Sequence, residues 1–286
     1  MKIAYCGYDF FYACLNELLA AQYEVCRVFT FPCDNRYNFN QYIREICSRH
    51  NLPLTERRLD EAALIELEHE GCELIITAGY RYKVPDLSHT VMRGINIHPT
   101  LLPTGRGVWP LPWTILTNQP RSGVTIHKLT QEYDTGDILA QDSFPLDANE
   151  RLETLSVKVQ LLAKTLLKSV MTDIDQYWDQ AQPQTGQGSE WGLPEKSQRT
   201  LNWNLPIESL DRICRAFGKF GCFATFNQQT WIVYGLNAWK QAHTYTVGSV
   251  VHKTNTEMII AASDGLVSLL YFEPVSSGDT NKQKQQ

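Results

Sequence analysis

The chain has 286 residues, 43% of them hydrophobic and 20% charged, with a formal net charge of −5. That length exceeds an ordinary single domain, so two domains and a sizeable core are expected, and the composition excludes a disordered chain. The negative total gives no bulk attraction to nucleic acid, and no run approaches the ~20 apolar residues a membrane span needs. The first residues enter a strand pattern without a basic, apolar leader, so a cytoplasmic location and no membrane partner are expected. The eight cysteines form no Cys-x-x-Cys pair and lie in or beside apolar segments, which reads as reduced, buried side chains and not as a disulfide frame or zinc site.

Residues 2–7 read as a buried first strand and 10–21 as a helix after a turn around Gly7 and Asp9. A strand over 23–31, helices over 38–50 and 60–69, and a strongly apolar strand over 72–78 continue the alternation. Such alternation implies right-handed crossovers and an α/β unit with a mostly parallel twisted sheet and flanking helices. Ligands of such sheets sit past the carboxyl ends of the strands, where Gly79-Tyr80-Arg81-Tyr82 lies.

The run Gly94-Ile95-Asn96-Ile97-His98-Pro99 then places an amide and an imidazole two residues apart at the end of a short apolar strand. Residues two apart in a strand share a face, so Asn96 and His98 project together, and Pro99 stops the ladder. Another apolar-alternating segment, 123–129, precedes Tyr133-Asp134-Thr135-Gly136-Asp137, whose Asp134 lies 38 positions after Asn96. An Asn, a His and a loop Asp make a plausible acid/base set. No Gly-x-Gly-x-x-Gly or phosphate loop ending in Lys-Ser/Thr occurs, which counts against a standard NAD or ATP enzyme.

Residues 150–178 carry apolar side chains at near-helical spacing (Leu152, Leu155, Val159, Leu162, Leu166, Val170) and read as one long helix closing the first domain. The Pro/Gly/Gln/Ser stretch 181–189 reads as a linker. Beyond it a short helix over 207–217 and strands over 222–226, 231–234, 246–251, 258–261 and 266–272 suggest a small antiparallel barrel-like domain. The expected boundaries are 1–180, linker 181–204, second domain 205–275, and a polar, frayed tail over 276–286.

Four blocks in this order, 96–103 (Asn-Ile-His-Pro-Thr-Leu-Leu-Pro), 106–110 (Arg-Gly-Val-Trp-Pro), 122–127 (Ser-Gly-Val-Thr-Ile-His) and 134–139 (Asp-Thr-Gly-Asp-Ile-Leu), resemble the formyltransferase superfamily that uses 10-formyltetrahydrofolate. The resemblance covers residues 1–178 well, and 205–274 more loosely resembles the β-rich C-terminal domain of methionyl-tRNA and some sugar formyltransferases. It implies a Rossmann-like catalytic domain, an N-formyltransferase, 10-formyltetrahydrofolate as cosubstrate and no metal. Formyl transfer to an amine passes through a tetrahedral species, so the site must stabilise an oxyanion and move protons. By resemblance Asn96 donates to the oxyanion, His98 shuttles the proton, and Asp134 holds the imidazole, raises its pKa and orders a relay water. The resemblance also places the folate along Tyr80, Arg81 and Tyr82, Leu101, Leu102 and Pro103, and Thr130, Gln131, Glu132, Tyr133 and Asp134. Asp137 reads as a capping or structural carboxylate, and His127 as a buried strand histidine with a structural role. Arg106 is equally a solvated loop charge or a site residue.

The amine is harder to read. A second domain counts against a free ribonucleotide substrate. Methionyl-tRNA formyltransferases carry a longer, basic insertion after the second strand, whereas residues 30–38 are short, with one Arg and one Asp. Residues 201–286 hold seven Lys/Arg against six Asp/Glu, with no basic stripe of the kind a tRNA binder needs. A nucleotide-linked amino sugar is therefore the expected substrate, with Tyr8, Arg106 and Trp109 available to stack on a base or meet a pyrophosphate. The apolar, aromatic segment 108–113 departs from the family loop and shapes a different pocket. Methionyl-tRNA and a hydroxyornithine-type amine stay open as alternatives, as do homodimer formation and a binding module that retains the fold without chemistry. A complete Asn96, His98 and Asp134 set argues against that last option.

Overall fold

The computed structural model describes residues 1–275, so the tail expected over 276–286 lies outside the described residues. The described residues divide into two compact units, the first comprising 1–110, 120–146 and 156–192, the second 111–119, 147–155 and 193–275. The division falls at 192/193, and two short earlier segments group with the C-terminal part.

In the first unit β1 (Lys2–Gly7), β2 (Glu24–Phe29), β3 (Leu54–Thr55), β4 (Leu74–Ala78), β5 (Arg93–His98), β6 (Arg121–Lys128) and β7 (Ile138–Pro145) form one sheet in the order β3-β2-β1-β4-β5-β6-β7. Pairing is parallel from β3 through β5, while β6 runs antiparallel to both β5 and β7. Helices α1 (Tyr12–Ala20), α2 (Gln41–His50) and α3 (Glu61–His69) alternate with the first strands. Asp60 caps α3 by accepting from the Ala63 N–H at 2.9 Å. The orphan amides of α2 are instead satisfied from a distance, because Asp9 in the turn after β1 accepts from Tyr42 and Ile43 at 3.1 and 3.0 Å. One sheet face buries Ala4, Cys6, Phe29 and Ile75 against Leu64 and Leu67 of α3.

Three sequence expectations change. Residues 150–178 form two helices, α5 (Leu152–Thr172) and α6 (Ile174–Asp179), because the Asp173 side chain leaves the helix to cap α6 through Gln176 N–H at 3.1 Å. On α5 the fully buried stripe is Leu155, Val159, Ala163, Leu167 and Val170, so Leu162 and Leu166 sit at its margin and small Ala163 faces inward. Within the apolar segment 108–113 a helix begins, α4 (Pro110–Leu116), with proline at the first position, where its missing N–H costs nothing.

In the second unit β8 (Thr200–Leu201), α7 (Ile207–Phe217), β9 (Cys222–Phe226), β10 (Gln229–Lys240), β11 (Val250–Lys253), β12 (Met258–Ala261) and β13 (Gly265–Pro274) follow in order. The strands pair in the order β11-β12-β13-β10-β9-β8, antiparallel except for β8 with β9, a β-rich unit as expected. The strand expected over 231–234 is the first part of the 12-residue β10, which continues through a register shift around Gly235. Such a bulge bends a strand without ending it. All eight cysteines are free thiols.

Candidate active site

Strand register assembles the centre of the site. Thr77 of β4 pairs with Asn96 of β5, and Asn96 pairs with His127 of β6, so the three side chains form one row across the sheet. Thr77 Oγ1 donates to Asn96 Oδ1 at 2.7 Å, which fixes the amide with its NH2 on the other side. That Nδ2 lies 3.1 Å from His127 Nε2 and donates to Asp134 Oδ1 at 3.2 Å. His127 Nδ1 is 2.8 Å from the Lys128 carbonyl, which can only accept; Nδ1 therefore carries the proton and Nε2 accepts from Asn96.

Two residues on, His98 Nε2 lies 2.8 Å from the Gly105 carbonyl and Nδ1 lies 3.4 Å from Asp134 Oδ1. The carbonyl again assigns the proton to Nε2, so a neutral His98 presents its lone pair at Nδ1, toward the carboxylate. Asp134 arrives from the β6–β7 loop with φ of 56°, a left-handed conformation that Asp tolerates better than most residues. Its Oδ2 accepts the Gly107 N–H at 2.9 Å. Thr130 and Thr135 brace that loop through the Glu132 carbonyl at 2.8 and 3.1 Å. His98 and Asp134 are 4% and 9% exposed, so water screens their interaction little.

Burial drives the His98 pKa below its ordinary value of 6.5, and outweighs the upward pull of Asp134 and the Gly105 carbonyl. The sequence-based expectation that Asp134 raises it is thus corrected: Asp134 acts in that direction, and desolvation wins. For Asp134 burial acts upward, but His127, His98 and the Gly107 N–H together hold the carboxyl down at about 2. It therefore stays ionised across the working range.

A pH prediction arises here. With His98 as the base, kcat/KM should hold as pH falls to 6.5 and decline only below it, with the midpoint under the ordinary histidine value. A pH–rate profile with a midpoint above 6.5, or a flat acid limb, would remove His98 from that role. The stability linkage has the same sign. A histidine whose folded value is depressed contributes stability that is complete above 6.5 and lost as pH falls through the folded value.

The other residues singled out in the sequence divide into groups. Leu101, Leu102 and Pro103 form a segment whose Leu102 N–H donates to Thr125 Oγ1 at 3.1 Å and whose Leu102 carbonyl accepts from Gln141 Nε2 at 3.0 Å. The Leu102 side chain is buried at 3% exposure. Tyr80 turns its ring into the first unit's core and accepts the Leu59 N–H at 3.0 Å, while Arg81 stacks over Phe31 and Tyr82. Tyr8 packs against Phe31 with ring centroids 5.4 Å apart. Gln131, Glu132 and Tyr133 are exposed, and Trp109 is half-buried just ahead of α4. Asp137 pairs with Lys128 at 3.4 Å, in keeping with its structural reading. Arg106 bonds to Gln184 Oε1 through Nε and Nη2 at 3.2 and 2.7 Å.

Thr77, His127 and Gln184 escaped the sequence reading as site residues. His127 follows a strand pattern that suits a core side chain, and only its register opposite Asn96 reveals the contact. Gln184 sits in a stretch without periodicity, where sequence carries no signal of docking.

The model of the formyl transferase family matches residues 15–171, and that of the formyl transferase C-terminal domain matches 194–277. The methionyl-tRNA formyltransferase of Treponema denticola is 30% identical over 243 residues, spanning 79% of this chain and 76% of the relative, and that of Staphylococcus epidermidis is 24% identical over 96% and 91%. Among solved structures, the N-formyltransferase of Helicobacter canadensis, in complex with folinic acid and dTDP-3-aminofucose, superposes with a TM-score of 0.70 at 16% identity over 96% of this chain and all of that one. HypX of Aquifex aeolicus in complex with tetrahydrofolic acid gives 0.71 at 18% identity, and the chain spans 44% of its length. Among the described residues no helix is long and apolar enough to cross a membrane. Since the first family model alone accounts for more than half of its residues, the chain belongs to the formyl transferase family.

Proposed function

We propose that the chain transfers the formyl group of 10-formyltetrahydrofolate to the primary amine of a nucleotide-linked amino sugar. The observation that carries the chemistry is the convergence of Asn96 Nδ2 and His98 Nδ1 on Asp134 Oδ1, at 3.2 and 3.4 Å. A neutral amide donor, an imidazole with a free lone pair and a buried carboxylate suit acyl transfer to nitrogen. The folate supplies the activated formyl group. Asn96 turns the N–H that otherwise donates to Asp134 Oδ1 toward the formyl oxygen, where negative charge develops, while His127 keeps the other. His98 Nδ1 takes the amine proton as the new C–N bond forms; the imidazolium, paired with Asp134, then returns that proton to N10 as the C–N10 bond breaks and tetrahydrofolate leaves. Thr77 and His127 hold the Asn96 amide in the donating orientation. The segments 80–82, 101–103 and 130–134 would hold the pterin through their backbones, in keeping with the inward-turned side chains of Tyr80 and Leu102.

The sugar reading is supported by the connection after β2. Residues 34–38 close on themselves, with Asp34 Oδ1 accepting from the N–H groups of Arg36, Tyr37 and Asn38 at 2.9, 2.8 and 3.1 Å, and project no basic arm. The Treponema relative favours methionyl-tRNA as the second reading. Incubating the protein with 10-formyltetrahydrofolate and, separately, dTDP- and UDP-amino sugars or methionyl-tRNA, then following the gain of one formyl group by mass spectrometry, separates the two. Salt dependence gives an independent prediction. A tRNA enzyme neutralising about six or more phosphates loses ~10³-fold in affinity between roughly 50 and 200 mM salt. We expect no retention of initiator tRNA at physiological salt; tight, salt-sensitive binding accompanied by formylation of its methionyl group would replace the sugar reading.

A further inference from the structure

The segment after α6, which the sequence presents as a linker, is laid along the active-site loop. Gln182 exchanges two backbone hydrogen bonds with Ile138, at 2.8 and 2.9 Å. Farther on, Ser189 accepts from Gly105 and Arg106 at 3.1 and 3.0 Å through its carbonyl and donates to the Pro103 carbonyl at 3.1 Å; the Trp191 N–H donates to the Arg106 carbonyl at 2.7 Å. The Trp191 ring packs so closely on Gly105 that an added Cβ would sit 2.6 Å from it. The loop gripped in this way touches both titratable groups of the site, through the Gly105 carbonyl on His98 and the Gly107 N–H on Asp134.

Between the two anchors stands Gln184, half-buried in an otherwise mostly exposed stretch. Its Oε1 accepts from Arg106 Nε and Nη2, while its Nε2 donates to the carbonyls of Asp134 and Gly136 at 2.7 and 3.0 Å. One amide thus spans the loop that carries Arg106 and the loop that carries Asp134, with every donor matched to an acceptor. Its partner is also chemically telling. A glutamine orients a guanidinium without cancelling its charge, and among the described residues no carboxylate forms an ion pair with Arg106. The charge is left for an anionic group on the substrate.

We propose that Gln184 is a positioning residue of the site, one that fixes the Asp134 loop against His98 and aims an uncompensated Arg106 at an anion of the amine substrate. The anion-binding half rests on the function proposed above; the positioning half does not. The test compares Gln184→Ala and the nearly isosteric Gln184→Glu with Gln182→Ala, whose side chain bonds only within its own segment, to the Gln180 carbonyl. Histidine-selective NMR of the full chain, titrated with pH, reads the His98 and His127 rings without any substrate. Both Gln184 variants should move the His98 titration midpoint while Gln182→Ala leaves it in place. With a dTDP-linked 3-amino sugar as the probe, Gln184→Ala should lower kcat/KM by ~10-fold or more, since small misplacements of reacting groups carry penalties of that order. Gln184→Glu, which neutralises Arg106 and sets a carboxylate oxygen against the carbonyls of Asp134 and Gly136, should raise KM as well as lower kcat, whereas Gln184→Ala should leave KM nearer wild type. Should alanine prevent folding, the glutamate variant carries the test. Unchanged His98 titration in a folded Gln184 variant, or an equal change in Gln182→Ala, overturns the positioning role. A Gln184→Glu variant with wild-type KM overturns the anion role. If wild-type protein formylates no amine at all, the sugar reading has failed, and the NMR titration still decides the role of Gln184.

Discussion

Asn96→Ala, His98→Ala and Asp134→Asn will each lower kcat by ~10²-fold or more without unfolding the protein, the range seen when one oxyanion-type donor is removed from a preorganised site. The reasons differ by residue. Asn96→Ala deletes the donor and leaves Thr77 Oγ1 and His127 Nε2 without their shared amide. His98→Ala removes the base and leaves the Gly105 carbonyl with only the Thr100 hydroxyl, at 3.2 Å. Asp134→Asn keeps the shape and an acceptor for the Gly107 N–H, but removes the charge that would face an imidazolium at Nδ1. Because the three act through one another, the Asn96→Ala/His98→Ala double variant should lose little more than the worse single variant. Steady-state kinetics beside near-ultraviolet circular dichroism checks this. Full turnover in any folded variant would remove that residue from the mechanism.

Gly136→Ala should damage the site nearly as severely from a position that touches no substrate. A Cβ at Gly136 would overlap the Lys128 carbonyl oxygen and lie 2.8 Å from its carbon, both backbone atoms that cannot rotate aside. The loop must therefore move, and it carries Asp134 two residues earlier and the Gly136 carbonyl that Gln184 holds. Forcing one extra carbon into a packed position typically costs ~1–3 kcal/mol. In a domain of this size that lowers Tm by several degrees. A displacement of Asp134 of about 1 Å would cost ~10²-fold in rate. Thermal melts and kcat together test this; unchanged values for both would show that the loop accommodates the methyl group without shifting the carboxylate.

The parts of this protein that were legible in its sequence are those where one local pattern maps to one local structure. Alternation of apolar strands and helices predicted the α/β unit, and the Asn-x-His spacing required a common face, because side chains alternate along any strand. The helix read over 60–69 begins at Glu61, with Asp60 as its cap. Local reading failed where two local signals compete. The apolar stripe of 150–178 continues past Asp173, yet a carboxylate that caps a new turn outweighs it and divides the helix. It failed again at Gly235, where a residue that commonly ends a strand instead lets β10 bend and continue.

By itself the sequence determined the family resemblance, the mainly parallel sheet and three of the residues gathered at its carboxyl edge, all of which follow from short-range spacing. Only the tertiary structure decided what those residues face. Thr77, Asn96 and His127 meet because β4, β5 and β6 pair in one register, and register between strands is set by packing of the whole sheet, not by any one segment. The direction of the His98 shift is likewise a property of burial, which sums the surroundings from every side and here outweighs the neighbouring carboxylate. The docking of 182–191 is the clearest case. A segment with no periodicity carries no conformational instruction of its own; its backbone groups found partners in loops that lie far away in sequence, at Pro103 to Arg106 and at Ile138, which become neighbours only once the first unit has folded.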